Sequence, residues 1–456
     1  MTGVPWNDLK PNTKNAWITE GLQADFEDFL PIATKEAKAS KSGEVQAIFK
    51  TYSLGVSTNR DSVVYDYDVK KLTSRVSDFL AAYNSEVSRW TDAGAPKDID
   101  AFLNYSEIKW SRNLKSELKR RHKAGFEEAA IQPALYRPFD KEWLYRGAIA
   151  VDEAGSTGSF LPTAKLQSEN ALICLSNPGN NKPFQTLMTD CVPDLHLTGD
   201  TQCFPLYTYA LDGKIRRDNV TDWALAQFQA QYGPDVTKRD VFHYVYGLLH
   251  SPEYRERYKE NLKRELPRVP LVEPTPVRSS PTLPEREGEE FGEEVGALFS
   301  SEIPRPPVPG GPLRSKEVGS FRRFVAAGEA LAALHVGYET ADEYPLTQIV
   351  NKDVPFSWRV TKMRLNKDKT AVIVNEALTL AGIPPEVFEY KLGNRSALEW
   401  VLDQYQAGTD KRSGIETDPN KADAPEYIVR LVRRVVTVSV ETVKWVKALP
   451  PILPAG

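Results

Sequence analysis

The sequence predicts an α+β protein, with a mixed sheet-and-helix body over residues 1–270 followed by a smaller α+β domain over 314–456. Three observations predict this. Apolar residues recur at helical spacing in some segments and cluster in short strand-like runs in others. The two kinds of segment are interspersed rather than alternating regularly, and no internal repeat is visible. Between the two parts, residues 271–313 are rich in Pro, Gly, Ser and Glu and lack apolar periodicity, the composition of a linker that cannot offset its ordering entropy. At 456 residues, 41% hydrophobic, the chain is long enough for two or three domains with cores of their own.

Taken in order, Ala47–Phe49 and Ser62–Tyr67 read as strands flanking the polar turn Ser57–Asp61. Val69–Trp90 carries apolar Leu72, Val76, Phe79, Leu80 and Tyr83 at helical spacing. A second helix is expected over Ser106–Lys123. Leu135–Tyr145 is aromatic, and Ala171–Leu175 is a buried-strand candidate. Asn219–Tyr232, capped by Thr221 or Asp222, and Lys238–Glu265 are predicted helical. Beyond the linker, helices are expected at Phe321–Val336, Ser396–Tyr405 and Pro425–Ala448, with a small sheet element over Lys369–Leu380.

Composition and motifs exclude several classes. No apolar run approaches the roughly 20 residues of a membrane span, and the N-terminus lacks a signal-peptide layout, so no membrane association and a cytoplasmic location are expected. Cys174, Cys191 and Cys203 cannot all pair and are expected as buried thiols; a zinc site with His196 would lack a Cys-x2-Cys element. There is no P-loop, no Gly-x-Gly-x-x-Gly after a strand, no His-Glu-x-x-His and no Gly-x-Ser-x-Gly. The five histidines are scattered singly.

What remains is binding chemistry. The net charge is −4, so any cationic surface must be local. Tyr105–Gly125 supplies one: seven basic residues against two acidic give +5 over 21 residues. As a helix it would align Arg112, Lys115, Lys119 and Lys123 in a stripe, with Lys109 and Arg120 nearby, able to follow a phosphate backbone. A solvated face without a ligand fits the same residues. Two polar loops could read base edges: Thr58, Asn59 and Arg60 in the first, and Asn181, Lys182 and Gln185 in the second. Two other classes stay open. One is a nuclease using Asp25, Asp28, Glu36 and Lys38; the other is a protein-binding scaffold.

Several runs carry a resemblance. Tyr52–Asp61, Leu135–Asp140, Pro193–His196, Gln202–Tyr207 and Phe242–Arg255 resemble the C-terminal part of Type ISP restriction–modification enzymes. Beyond the linker, Leu380–Pro384, Ser396–Trp400 and Val436–Val443 continue it. In that family one polypeptide joins a nuclease, a helicase-like motor, an adenine-N6 methyltransferase and a target-recognition region. The resemblance implies that residues 1–270 are a target-recognition domain for double-stranded DNA in phage defence, and that 314–456 brace it or dock on a methyltransferase partner. It also implies methyltransferase and helicase–nuclease domains or subunits as partners. The family's Asn-Pro-Pro-Tyr/Phe motif is absent, the nearest run being Asn177-Pro178-Gly179-Asn180, and no Gly-rich S-adenosylmethionine loop is present. No cofactor is therefore expected in this chain, S-adenosylmethionine being expected for the methyltransferase, and no catalytic residue is assigned. Arg137 and His250 lie in matching runs among aromatic, apolar neighbours that suggest structural roles.

Overall fold

The computed structural model describes residues 19–40, 45–180, 182–210, 213–272, 319–411 and 413–452. Upstream of residue 273 the main strands are β1 (Ser53–Leu54), β2 (Tyr65–Asp66), β3 (Ile131–Arg137), β4 (Asp140–Tyr145), β5 (Leu172–Leu175), β6 (Thr186–Thr189), β7 (Val192–Pro193) and β8 (Gln202–Pro205). They form two four-stranded sheets, ordered β1-β8-β5-β6 and β2-β4-β3-β7, antiparallel except for the β3–β7 pair. Downstream, β9 (Thr347–Val350), β10 (Arg364–Leu365), β11 (Ala371–Ile373) and β12 (Leu378–Ala381) make a third sheet, ordered β9-β12-β11-β10.

The first sheet is a central layer because its apolar residues do not alternate with polar ones. All four residues of β5 are buried. Leu172 and Cys174 face one hydrophobic core while Ile173 and Leu175 face the other, as the two-residue period of a strand requires. The three cysteines are free and buried, as expected.

The helices used below are α1 (Asp61–Val64), α2 (Val69–Asp92), α3 (Arg112–Lys119), α4 (Asp222–Tyr232), α5 (Lys238–Leu249), α6 (Ser320–Val336), α7 (Ala397–Gln404) and α8 (Tyr427–Lys447). Helix α2 starts where the Asp68 carboxylate accepts from the Lys70 and Lys71 amides, and it buries Leu72, Val76, Phe79, Leu80, Tyr83, Val87 and Trp90. The Thr221 hydroxyl caps α4. Three expectations are corrected. Ala47–Phe49 forms only an isolated bridge from Phe49 to Val220. Ser62–Tyr67 begins as the helical turn α1, because the Val63 and Val64 amides donate to the Arg60 carbonyl, and only then becomes β2. The helix expected over Lys238–Glu265 ends at Leu249; Ser251 and Pro252 start a new one, the proline having no amide to continue the old.

The expected separation at residues 271–313 does not extend to the packing. The two large hydrophobic cores draw residues from both sides of it. Of the linker residues, Leu271 and Val272 are described and Val272 is buried; 273–313 lie outside the described residues. Helix α6 packs directly on α5 through two glycines. A Cβ on Gly328 would overlap the His243 carbonyl oxygen, and one on Gly247 the Phe324 carbonyl.

His335 of α6 ties three elements together. Its Nδ1 lies 2.6 Å from the Tyr246 hydroxyl of α5, its Nε2 3.0 Å from the Thr442 hydroxyl of α8, and its ring stacks on Tyr390. Burial, with the Arg255 charge nearby, pushes this imidazole down to about 3. The unfolded chain titrates it near 6.5, so the contribution of neutral His335 is complete above that pH and is lost as pH falls toward 3. Between those limits the stability of the native protein should lose up to ~1.4 kcal/mol per pH unit through this group. His335→Gln, compared by urea unfolding at pH 7 and 4.5, is expected to show a shallower acid dependence than the parent.

Candidate nucleic-acid interface

The basic segment forms a helix shorter than expected. Asn104 accepts from the Trp110 indole at 2.8 Å, holding 104–110 in a turn, and Ser111 then caps α3 through the Leu114 amide. The helix closes at Arg121, which takes the left-handed conformation at φ 56°. Leu114 and Leu118 are buried beneath it, beside the core face of α2. The four-residue stripe is therefore broken. Arg112 and Lys119, seven residues apart, share one exposed helix face, whereas Lys109 precedes the helix and Lys123 follows it.

The cations also differ in what they touch. Lys115 pairs with Asp100, Arg120 with Glu117 at 2.7 Å, and Lys123 donates to the Ser88 hydroxyl at 2.7 Å. Lys109, Arg112 and Lys119 are exposed and have no ion-pair partner among the described residues. Surface pairs such as Arg120–Glu117 are worth little and open readily to a competing phosphate.

The first polar loop is bolted to this helix from behind. Arg60 is buried, not exposed as base reading would require. Its guanidinium donates to the Ile149 and Ala150 carbonyls at 3.3 and 2.8 Å, to the Ser111 hydroxyl at 3.0 Å and to Asp152 at 2.8 Å. Desolvation pulls its pKa down while Asp152 and Asp61 hold it up. Asp152 also accepts from Ser111 at 2.7 Å, and its backbone carbonyl from the Asn113 side chain at 3.0 Å. Thr58 is likewise buried, its hydroxyl on Asp61. Asp61 accepts from Tyr136, and Arg137 stacks on that ring while pairing with Asp194 at 2.7 Å, the internal role anticipated for it.

Asn59 is the member of this loop that faces outward. It adopts φ 56°, a conformation asparagine tolerates better than other side chains. Its Nδ2 donates to Asp152 at 2.7 Å, leaving the second amide hydrogen and Oδ1 without a partner among the described residues. Asn59, Lys109, Arg112, Asn113, Asp152 and Glu153 line one open concavity of about 410 Å3. Two of the expected cations and one expected base reader thus meet in one place.

The second loop stands apart from that concavity. Asn181 lies outside the described residues. Lys182 is exposed, on a turn in which Asn180 accepts from its amide and donates to the Gly199 carbonyl. Gln185 is buried, donating to the Thr198 carbonyl at 2.8 Å, so it holds the loop base and is not available as a reader. Asp152 escaped the sequence reading because its role depends on partners 41 and 92 residues away.

The acidic residues suggested for cleavage do not converge. Asp25 pairs with Arg257 and accepts from Tyr258, and Lys38 lies over the Tyr52 ring. Among the described residues no group of three or more His, Cys, Asp or Glu side chains could hold a metal ion, and no helix is long and apolar enough to cross a membrane. His250 is buried, its Nδ1 on the Tyr246 carbonyl, a structural role as expected.

A search of curated proteins returns no match. Among solved structures, a nuclease-deletion mutant of the Type ISP restriction–modification enzyme LlaGI in complex with a DNA substrate mimic is 30% identical over 99% of this chain, with a TM-score of 0.77. The DrdV–DNA complex is 33% identical over 98%, at 0.76. The ATP-dependent Type ISP enzyme LlaBIII bound to DNA is 26% identical over 98%, at 0.77. This chain covers 37%, 40% and 26% of those chains respectively. Residues 47–276 and 299–431 match the Type ISP C-terminal specificity domain. With most of its length inside that match, the chain belongs to the Type ISP C-terminal specificity domain family.

Proposed function

We propose that this chain recognises a specific sequence in double-stranded DNA and serves as the specificity part of a restriction–modification system in phage defence. The observation that carries the reading is the meeting of unpaired Lys109 and Arg112 with outward-facing Asn59 on a loop locked by the Arg60–Asp152 pair. Lys109, Arg112 and Lys119 would hold phosphates and fix register, and Asn59 would read a base edge. Arg120 and Lys182 would add exposed phosphate contacts, while Thr58, Arg60 and Gln185 position the loops. Two of the neighbours are described as Type ISP restriction–modification enzymes, and all three as bound to DNA or a DNA mimic, which supports the assignment of DNA as the ligand.

In this reading the chain supplies the address, and methyltransferase and helicase–nuclease domains or subunits supply the chemistry. S-adenosylmethionine belongs to the methyltransferase. Methylation of adenine requires the base to leave the stack, and a recognition region held against the backbone steadies that distorted duplex. The cell interior is the compartment such a system implies.

Asn59→Ala tests the reading. Binding to a pool of randomised duplexes, sequenced before and after selection, should show one position of the preferred site relaxed by about 1–3 kcal/mol of discrimination. Affinity for unrelated duplex should stay near the parent's. An unchanged site preference would remove Asn59 as a reader.

A further inference from the structure

A second run of cations lies in the loops that join and flank the strands of the downstream sheet. Residues 351–369 hold six basic and two acidic side chains, +4 over 19 residues. Arg359 is committed to Asp418 at 2.8 Å and Lys369 to Glu399 at 2.9 Å. Lys352, Lys362, Arg364 and Lys367 are exposed and have no ion-pair partner among the described residues. Phe356, in the same stretch of sequence, is 46% exposed, with its ring edge-on to Trp358 at 4.8 Å.

The middle of this run is held in place. The Asn375 side chain donates to the Ser357 and Arg359 carbonyls at 2.8 and 2.9 Å. Asn420 clamps Val360 from the other side, accepting from its amide and donating to its carbonyl at 2.8 and 2.7 Å. These four side-chain bonds fix the backbone of 357–360, while Phe356, Lys352, Lys362, Arg364 and Lys367 to either side of it stay exposed.

This run is also connected to the first interface. The Ala407 amide donates to the Thr361 carbonyl, and the hairpin that follows, Gly408–Thr409 paired with Glu416–Thr417, carries Ser413 to within 3.4 Å of the Ser62 hydroxyl. Ser62 is three residues from Asn59. One hairpin therefore spans from the second run of cations to the loop of the first interface.

We infer that the loops around the downstream sheet, with Lys352, Phe356 and Lys362 at one end of its strands and Lys367 in the turn at the other, are a second contact for the same DNA duplex, gripping the sugar–phosphate backbone beyond the segment read by Asn59. The inference rests on the DNA-binding reading above. A protein partner fits less well, since the buried centres of protein interfaces are depleted in unpaired lysines, whereas released counterions reward each lysine set against a phosphate.

The test uses the full chain and duplexes of two lengths, one covering the recognised site alone and one extended by a helical turn on each side. Lys352→Ala/Lys362→Ala/Lys367→Ala should leave affinity for the short duplex unchanged. On the long one it should reduce the slope of log affinity against log salt by about 2–3, as three lost phosphate contacts require. Phe356→Ala should weaken long-duplex binding without changing that slope. If the parent binds neither duplex, the DNA-binding reading itself fails. If the parent binds both and the triple variant keeps the full slope on the long one, only the second contact is overturned. Capture of a protein by these loops with the slope unchanged overturns it equally.

Discussion

Arg60→Ala is expected to cost about 3–5 kcal/mol of stability, because it leaves Asp152 charged with its main partner gone. The Arg60 side chain is 1% exposed and Asp152 6%, so water cannot fill the gap without opening the site. Four interactions disappear at once, to Ile149, Ala150, Ser111 and Asp152, and they join the 57–61 loop to the cap of α3. Urea unfolding of Arg60→Ala, Asp152→Ala and the double variant separates the pair from its surroundings. The double variant should lose clearly less than the two single losses added together. Additive losses would mean that the pair is not what couples loop to helix.

The second large effect falls on binding and spares the fold. Lys109, Arg112 and Lys119 have no ion-pair partner among the described residues, so their joint reversal to glutamate should change stability by little more than about 0.5 kcal/mol per site. Against duplex DNA the same variant should lose affinity by a factor on the order of 100 at 0.1 M salt. Its salt slope should shrink by about 3, near 0.9 for each phosphate contact given up. The loss should be equal for cognate and unrelated sequences, since phosphate contacts carry no base information. Fluorescence anisotropy across a salt series measures both quantities. A variant that binds as the parent does would exclude this ridge from the interface.

The contrast between these two variants marks how far the sequence could be read. Local periodicity sufficed for α2, α4, α6 and α8, the first two of which are also capped by the side chains of Asp68 and Thr221 directly before them. The basic segment was visible as composition, but its division was not: Ser111 caps the helix in its middle and Arg121 ends it, so a continuous stripe became a short helix with cations on either side. Arginine and asparagine at adjacent positions in one loop look equally fit to read bases. A carboxylate 92 residues downstream draws Arg60 inward, while the left-handed turn at Asn59 presents its neighbour to solvent. Gln185 was misread for a similar reason, its partner Thr198 lying across a loop. Composition sets 271–313 apart, but it cannot show that α6 returns to seat Gly328 against α5.

Amide hydrogen exchange of the chain with and without a duplex carrying its preferred site addresses the interface as a whole. Protection should rise on binding across 57–61 and 109–121, and the buried β5 should be unaltered. Protection gained elsewhere, with both of those segments exchanging as in the free protein, would contradict the placement of DNA on this face.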